Sequence, residues 1–351
     1  MDQGIKNENL ILTEEEIREI LLEDIERNKW KNYWIQIKKA WPVYVMLVPV
    51  ILFFFLFRYL PINSVFLAFH EYVDKTQSIF NNDFIGFYAF KKIMFGSGIT
   101  ESRMFWEAFR NTFTISMYSL LFGFPVPIIL AIFFSEIRVA KYRSVVQVLS
   151  YLPNFVSTVV ITSVIALMFA PSGTGVEPGI LARLLMNLNM VPAGTNMMKG
   201  PEYFRSIYVL SGIWETSGYG SIVYFAAIMA ISPTNYEAAK IDGASKLDQI
   251  RYITLPGISS TLTIMLILRI GGVLNVGYEK VMLLYQIETY STADVLSTYV
   301  LRLGGLIENG PGGHISQSFA AAADLFNSII AMFLVLGSNF ISKRVTDTSL
   351  F

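Results

Sequence analysis

The sequence has no cysteine, which excludes a disulfide framework, a thiolate nucleophile and a zinc–thiolate site. Its two histidines, His70 and His314, lie far apart in the chain, a poor basis for a histidine-ligated metal. Charge is scarce: Asp, Glu, Lys and Arg make up 15% of 351 residues, against about 25% in an ordinary soluble domain. The 27 basic and 27 acidic residues cancel, so no overall basic excess is present to hold nucleic acid. No GKS/T phosphate-binding pattern occurs, so the chain cannot itself be a P-loop ATPase. No nucleophile–His–acid arrangement is visible. Acidic neighbours such as Glu14 and Glu15, or Asp242 and Asp248, read as solvated helix faces.

What is abundant is apolar surface. Hydrophobic residues make up 53% of the chain, and the mean hydropathy is +0.49. This composition predicts an all-α polytopic membrane protein. A helix needs about 20 mostly apolar residues to cross about 30 Å of hydrocarbon. Six stretches qualify: 43–60, 112–134, 145–170, 207–231, 258–285 and 319–341. Gly271, Gly272 and Gly277 lie near the end of the fifth and suggest a break there. Gly123, Pro125 and Pro127 suggest a kink or local unwinding in the second, and Pro49 does the same in the first.

Lys and Arg set the orientation. With a cytoplasmic N-terminus, the inner segments carry 15 Lys/Arg and the outer ones 8, although the outer segments are longer in sum. Both termini are therefore expected in the cytoplasm of a bacterial cell whose cytoplasmic membrane the chain crosses. About forty residues, many acidic, precede the first apolar stretch, which is expected to remain as an anchor instead of being cleaved. The organisation expected is a cytoplasmic helix and interfacial segment over 1–42, a membrane domain over 43–341 and a short tail over 342–351. Thr13 and Glu16 fit a capping box for the first helix. The WKNYWIQIKKAW tract that follows it suits the inner headgroup region. The glycine-rich SGTG tract in 171–206 and the turn around His314 carry no evident chemistry.

The loop 233–257 contains NYEAAKIDGASKLDQIRYITLPG. Tyr236 to Ile241 can form a short helix, Gly243 can take a positive φ, and Leu247, Ile250 and Ile253 mark one face of a second helix, which Pro256 either ends or passes into the fifth span. The product is a helix–turn–helix on the cytoplasmic surface, between the fourth and fifth spans. Glu237, Ala238 and Ala239, then Gly243, then Ile253, Leu255 and Pro256, match at every spacing the EAA signature of permease subunits of bacterial binding-protein-dependent ABC importers. Seven fixed residues match by chance more rarely than roughly one chain in a million.

That resemblance covers 40–345. RYLPINSVFLAFHEY, LSYLPNFVS, GYEKVMLLY and ADVLSTYVLRLGG resemble the branch that imports complex oligosaccharides. It implies a coupling role for Glu237, Ala238, Ala239, Asp242, Gly243, Ile253, Leu255 and Pro256, which dock on a cytoplasmic ATPase dimer. It further implies a second homologous permease, an extracellular substrate-binding lipoprotein, an oligosaccharide as substrate, and no cofactor on this chain, with ATP and Mg held by the ATPase. The outer segments 61–109 and 286–318 are expected to form part of the surface for the binding protein. The chemistry of the loop fits: two small alanines permit close approach, Glu237 offers a carboxylate, and a rigid docked element can pass motion to two spans.

Ionisable residues deep in a span usually face a cavity or a partner. Glu215 and Arg269 lie near mid-membrane on the fourth and fifth spans; they either line the pathway or pair with each other. An Arg269 left unpaired in the cavity favours an acidic sugar such as a uronate. Trp214 and Tyr219 can pack on a sugar face, although such rings also serve as packing or interface residues. The more distant resemblance to maltose-type permeases places Tyr219 on a sugar-contacting tyrosine, with Asn275 and Tyr278 as nearby candidates on the fifth span. Two other classes stay open: a secondary transporter with Glu215 as coupling group, and a membrane-embedded saccharide-processing enzyme, for which no carboxylates have suggestive spacing.

Overall fold

A computed structural model describes residues 29–72, 82–96, 99–171, 177–306 and 316–345. The expected helix around Thr13 and Glu16, the SGTG tract and His314 lie outside the described residues. The chain divides into two units, 1–63 and 64–351. Among the described residues no β-strand forms; one isolated antiparallel bridge joins His70 to Phe84.

The first unit contains α1 (Lys29–Lys39) and α2 (Trp41–Phe54). Pro42 sits in the first turn of α2, where its missing N–H costs nothing. Pro49 stays inside the helix, and a π-helical turn follows at Phe55–Tyr59. No residue of α2 is buried.

The second unit holds the remaining helices: α3 (Tyr88–Phe95), α4 (Ile99–Gly123), α5 (Pro125–Glu136), α6 (Ala140–Tyr151), α7 (Thr158–Met168), α8 (Ile180–Asn187) and α9 (Pro201–Met229). Then come α10 (Pro233–Ile241), α11 (Lys246–Gln249), α12 (Leu255–Gly257) and α13 (Ser259–Gly271). The last are α14 (Tyr278–Leu284), α15 (Tyr290–Ala293), α16 (Leu296–Leu303) and α17 (Gln317–Val345).

Among the described residues, three helices are long and apolar enough to cross a membrane: Trp41–Phe69, Ser102–Glu136 and Gln317–Arg344. Two bent pairs raise the number to five if each is one span. Helix α9 has 29 residues, about 43 Å, and its many Gly, Ser, Thr and Tyr residues, with Glu215 among them, make it less apolar than those three. The third expected span is not one helix. It bends by 101° between Ala140–Phe155 and Thr158–Met168, because Pro153 removes a backbone donor and Val156 and Ser157 are extended. The proline-rich second span is disturbed less than expected: Phe124 alone separates α4 from α5, and Pro125 occupies a first-turn position. The fifth breaks where its glycines lie, between Gly271 and Tyr278.

Helix α9 is the centre of the second unit and lies against α4, α5, α6, α13 and α15. Its buried face includes Phe204, Ile207, Ser211, Gly218, Ser221, Tyr224 and Ile228, the recurrence of one helical stripe. Small residues on that stripe allow close approach, the usual means of packing helices in lipid. Gly218 is the tightest point: a Cβ built there would stand 1.9 Å from the backbone carbonyl oxygen of Ser150.

Candidate functional site

The loop after α9 forms the expected helix–turn–helix. Gly243 takes φ +80°, a left-handed turn conformation that side chains resist. Ser245 then caps α11, its hydroxyl and backbone N–H both engaging Asp248. Those bonds from Ser245 hold the Asp248 carboxyl below the ordinary carboxylate value. This Ser-Lys-Leu-Asp cap, not singled out from the sequence although its serine and acid stand three residues apart, sharpens the turn.

The second arm departs from expectation. It is a π-helical turn over Ile250–Thr254, and Leu247 is 77% exposed, so Leu247, Ile250 and Ile253 do not share a buried face. Gln249 and Thr254 are the buried residues instead. Gln249 donates to the carbonyl of Ala244, Thr254 to that of Gln249, and Tyr236 and Thr254 share a hydrogen bond that ties the two arms. Glu237, Ala238, Asp242 and Gly243 are exposed on one arm and Leu255 and Pro256 on the other, with Ala239 and Ile253 half-buried. A cavity of about 370 Å³ opens beside the loop between α5, α9 and α10, lined in part by Glu237, Lys240 and Gln249. Lys246 pairs with Glu136 at the end of α5.

Glu215 and Arg269 do not pair. Glu215 is bound 2.7 Å from the Nζ of Lys280, a residue sequence reasoning did not single out. Lys280 is buried, and its ammonium also lies 5.6 Å from the ring centre of Tyr208. The break at 272–277 turns α14 so that Lys280 reaches α9.

Arg269 has no ion-pair or hydrogen-bond partner among the described residues. Its guanidinium borders two cavities. One, of about 360 Å³, is lined by Ser116, Ser119, Tyr208 and Asn275. The other, of about 230 Å³, is lined by Asn154, Thr216, Tyr219 and Tyr224. Tyr219 stands edge-on to Phe155 at 5.6 Å. The structure thus brings Arg269 together with Tyr219 on one side and Asn275 on the other. Trp214 and Tyr278 line neither cavity and Glu215 is committed to Lys280, while Tyr219, Arg269 and Asn275 are themselves exposed at the cavity mouths.

At the Pro201 end of α9 a second polar network joins α4, α9, α15 and α16. Fully buried Asn111 donates to the carbonyls of Ser291 and Asp294 and accepts from Arg205 at 2.8 Å. Asp294 is held by Arg302 at 2.6 Å and by Thr298. Thr112 accepts from the backbone of Leu296. These bonds fix the 290–303 segment on α4.

Residues 123–277 match the family described as "Binding-protein-dependent transport system inner membrane component". Protein LplB of Bacillus subtilis (strain 168) is 33% identical over 327 residues, 93% of this chain and 92% of the relative. The chain belongs to this family of transport permeases. The permease is also similar to the polygalacturonan/rhamnogalacturonan transport system permease protein YteP of Bacillus subtilis (strain 168), with 31% identity over 93% of this chain and 95% of the relative. The crystal structure of a bacterial ABC transporter involved in the import of the acidic polysaccharide alginate includes a chain 38% identical, with TM-score 0.75 over 90% of the permease and 99% of that chain. A second structure of a bacterial alginate ABC transporter, in complex with an alginate pentasaccharide-bound periplasmic protein, gives TM-score 0.76. The permease is a membrane-embedded, binding-protein-dependent subunit of an ABC sugar importer.

Proposed function

We propose that the permease carries an acidic, uronate-type oligosaccharide, and that Arg269 is the residue that reads its charge. The observation that carries this reading is the unpartnered guanidinium between two polar cavities. An intramembrane cation without an acid is costly unless an anion visits it. Arginine also suits the flat, two-oxygen shape of a carboxylate. Polygalacturonan, rhamnogalacturonan and alginate, which appear in the names of similar proteins, are all acidic. Tyr219 and Asn275 supply a ring face and an amide on either side of the charge.

The transport cycle of this reading is alternating access across a bacterial cytoplasmic membrane by six spans, α9 being one, with both termini inside. A lipoprotein delivers the sugar, a second homologous permease completes the pathway, and an ATPase dimer holding ATP and Mg docks on 233–257. The exposed Glu237, Ala238 and Gly243 face supports that docking role. This chain does no covalent chemistry. The pairing of Glu215 with Lys280 weakens the rival in which Glu215 couples transport to an ion gradient.

Arg269→Met is expected to lower the uptake rate of tetragalacturonate about tenfold, the scale of one charge-assisted contact, while uptake of its neutral methyl ester changes little. An unchanged ratio of the two rates refutes the acidic reading. For the docking loop, Glu237→Arg and Gly243→Asp are expected to abolish recovery of the ATPase with the tagged permease while the permease itself stays monodisperse in detergent. Normal assembly and uptake in both variants refute that role.

A further inference from the structure

We infer that Arg110 and Arg205 form a second carboxylate-binding station, about 20 Å from Arg269, where an acidic sugar is taken up first. The inference rests on the acidic-substrate reading and extends it. Arg110 lies on α4 and Arg205 on α9, two helices packed together, and Arg205 is bonded to Asn111, the residue that follows Arg110. Neither has an ion-pair partner among the described residues. The acids around them are engaged elsewhere or stand off: Glu107 pairs with Arg103 and Asp294 with Arg302, while Glu202, one turn along α9, bonds neither arginine.

Arg205 is held in place, while Arg110 is exposed and makes no side-chain bond. Arg205 donates to Asn111, whose amide is pinned by two backbone carbonyls. That contact is neutral, so it orients the guanidinium without cancelling its charge. The Nε of Arg205 is buried with no acceptor. Two repelling cations and an unused buried donor are together relieved by one carboxylate. The buried hydroxyl of Ser116, also without a partner, lies between this pair and Arg269 along α4 and lines the 360 Å³ cavity. Arg110 is 13 residues from Gly123, whose built Cβ would lie 3.6 Å from the Arg269 guanidinium, which gives about 20 Å along the helix. An oligouronate carries a carboxylate on each sugar residue, so one chain can engage both stations.

The test measures binding of fluorescent tetragalacturonate by anisotropy to the assembled transporter, without its binding protein, in nanodiscs with and without phosphatidylglycerol. Arg110→Gln and Arg205→Gln are each expected to weaken binding about tenfold and to reduce its salt dependence. Arg110 makes no side-chain bond, so its variant remains informative if loss of the Asn111 contact unfolds the other. Lys91→Gln, an equal change of charge at an exposed site on α3 that frees no acid, is expected to bind as wild type. Unchanged affinity in both variants, with Arg269→Met still impaired, refutes the station and leaves the Arg269 reading standing. Variants altered only in their response to phosphatidylglycerol show a lipid-headgroup site and refute it likewise. Wild-type binding that does not distinguish tetragalacturonate from its methyl ester overturns both readings.

Discussion

Lys280→Met is expected to destabilise the permease by about 3 kcal/mol or more, because it leaves the Glu215 carboxylate in a low-dielectric site without its cation. The side chains of the pair are only 11% and 17% exposed, so solvent cannot take over the role of the lost ammonium. Losing the contact with the Tyr208 ring adds to the effect. The double change Lys280→Met with Glu215→Leu is expected to recover most of the loss, since removing both charges also removes the desolvation penalty. Thermal unfolding of the purified permease in detergent checks this. A double variant no more stable than the single one would mean that Glu215 does not depend on Lys280.

Gly218→Ala has the largest expected steric effect. Its new methyl carbon would fall 1.9 Å from a backbone oxygen and 2.5 Å from the carbonyl carbon of Ser150, and backbone cannot rotate away as a side chain can. Helices α6 and α9 must separate, and the packing along the whole α9 stripe is lost with the contact. The expected result is a sharp fall in the yield of monodisperse permease on size exclusion. Gly212→Ala, where the nearest atom is the Lys280 ammonium at 3.7 Å, an ordinary van der Waals distance, is expected to be tolerated. Equal yields for the two variants would refute the close approach of α6 and α9.

How much of this the sequence revealed differs by residue. The turn within 233–257 was legible because its features are local: Gly243 at the turn and Pro256 after it act through their own backbones. The buried pairing within the loop was not, because Gln249 and Thr254 are polar and a periodicity argument looks for apolar faces; it selected Leu247, which is exposed. Hydropathy gave the depth of Glu215 and Arg269 but not the direction in which either points. Lys280 escaped notice because it sits near the end of an apolar run, and only the break at 272–277 carries it back to α9. The sharp bend of the third expected span depended on Pro153, which hydropathy alone reads through. Arg110 and Arg205 looked like ordinary residues at span ends, because their lack of acids is a fact of three dimensions.

The break after Gly271 has a mechanical meaning. Helix α13 is a stiff rod with Arg269 near one tip and the 233–257 loop joined to the other, about 15 Å from Ser259 to Arg269. Beyond Gly271 the backbone leaves the helix, so the rod ends in slack instead of a weld. The loop meets this rod through a 66° bend at Ile258, so any displacement passed to α13 moves Arg269 with the helix, and the non-helical residues after Gly271 can absorb it. Lys280, on the far side of that slack, stays anchored to α9. Arg269 can therefore travel with α13 while Lys280 keeps its place on the scaffold.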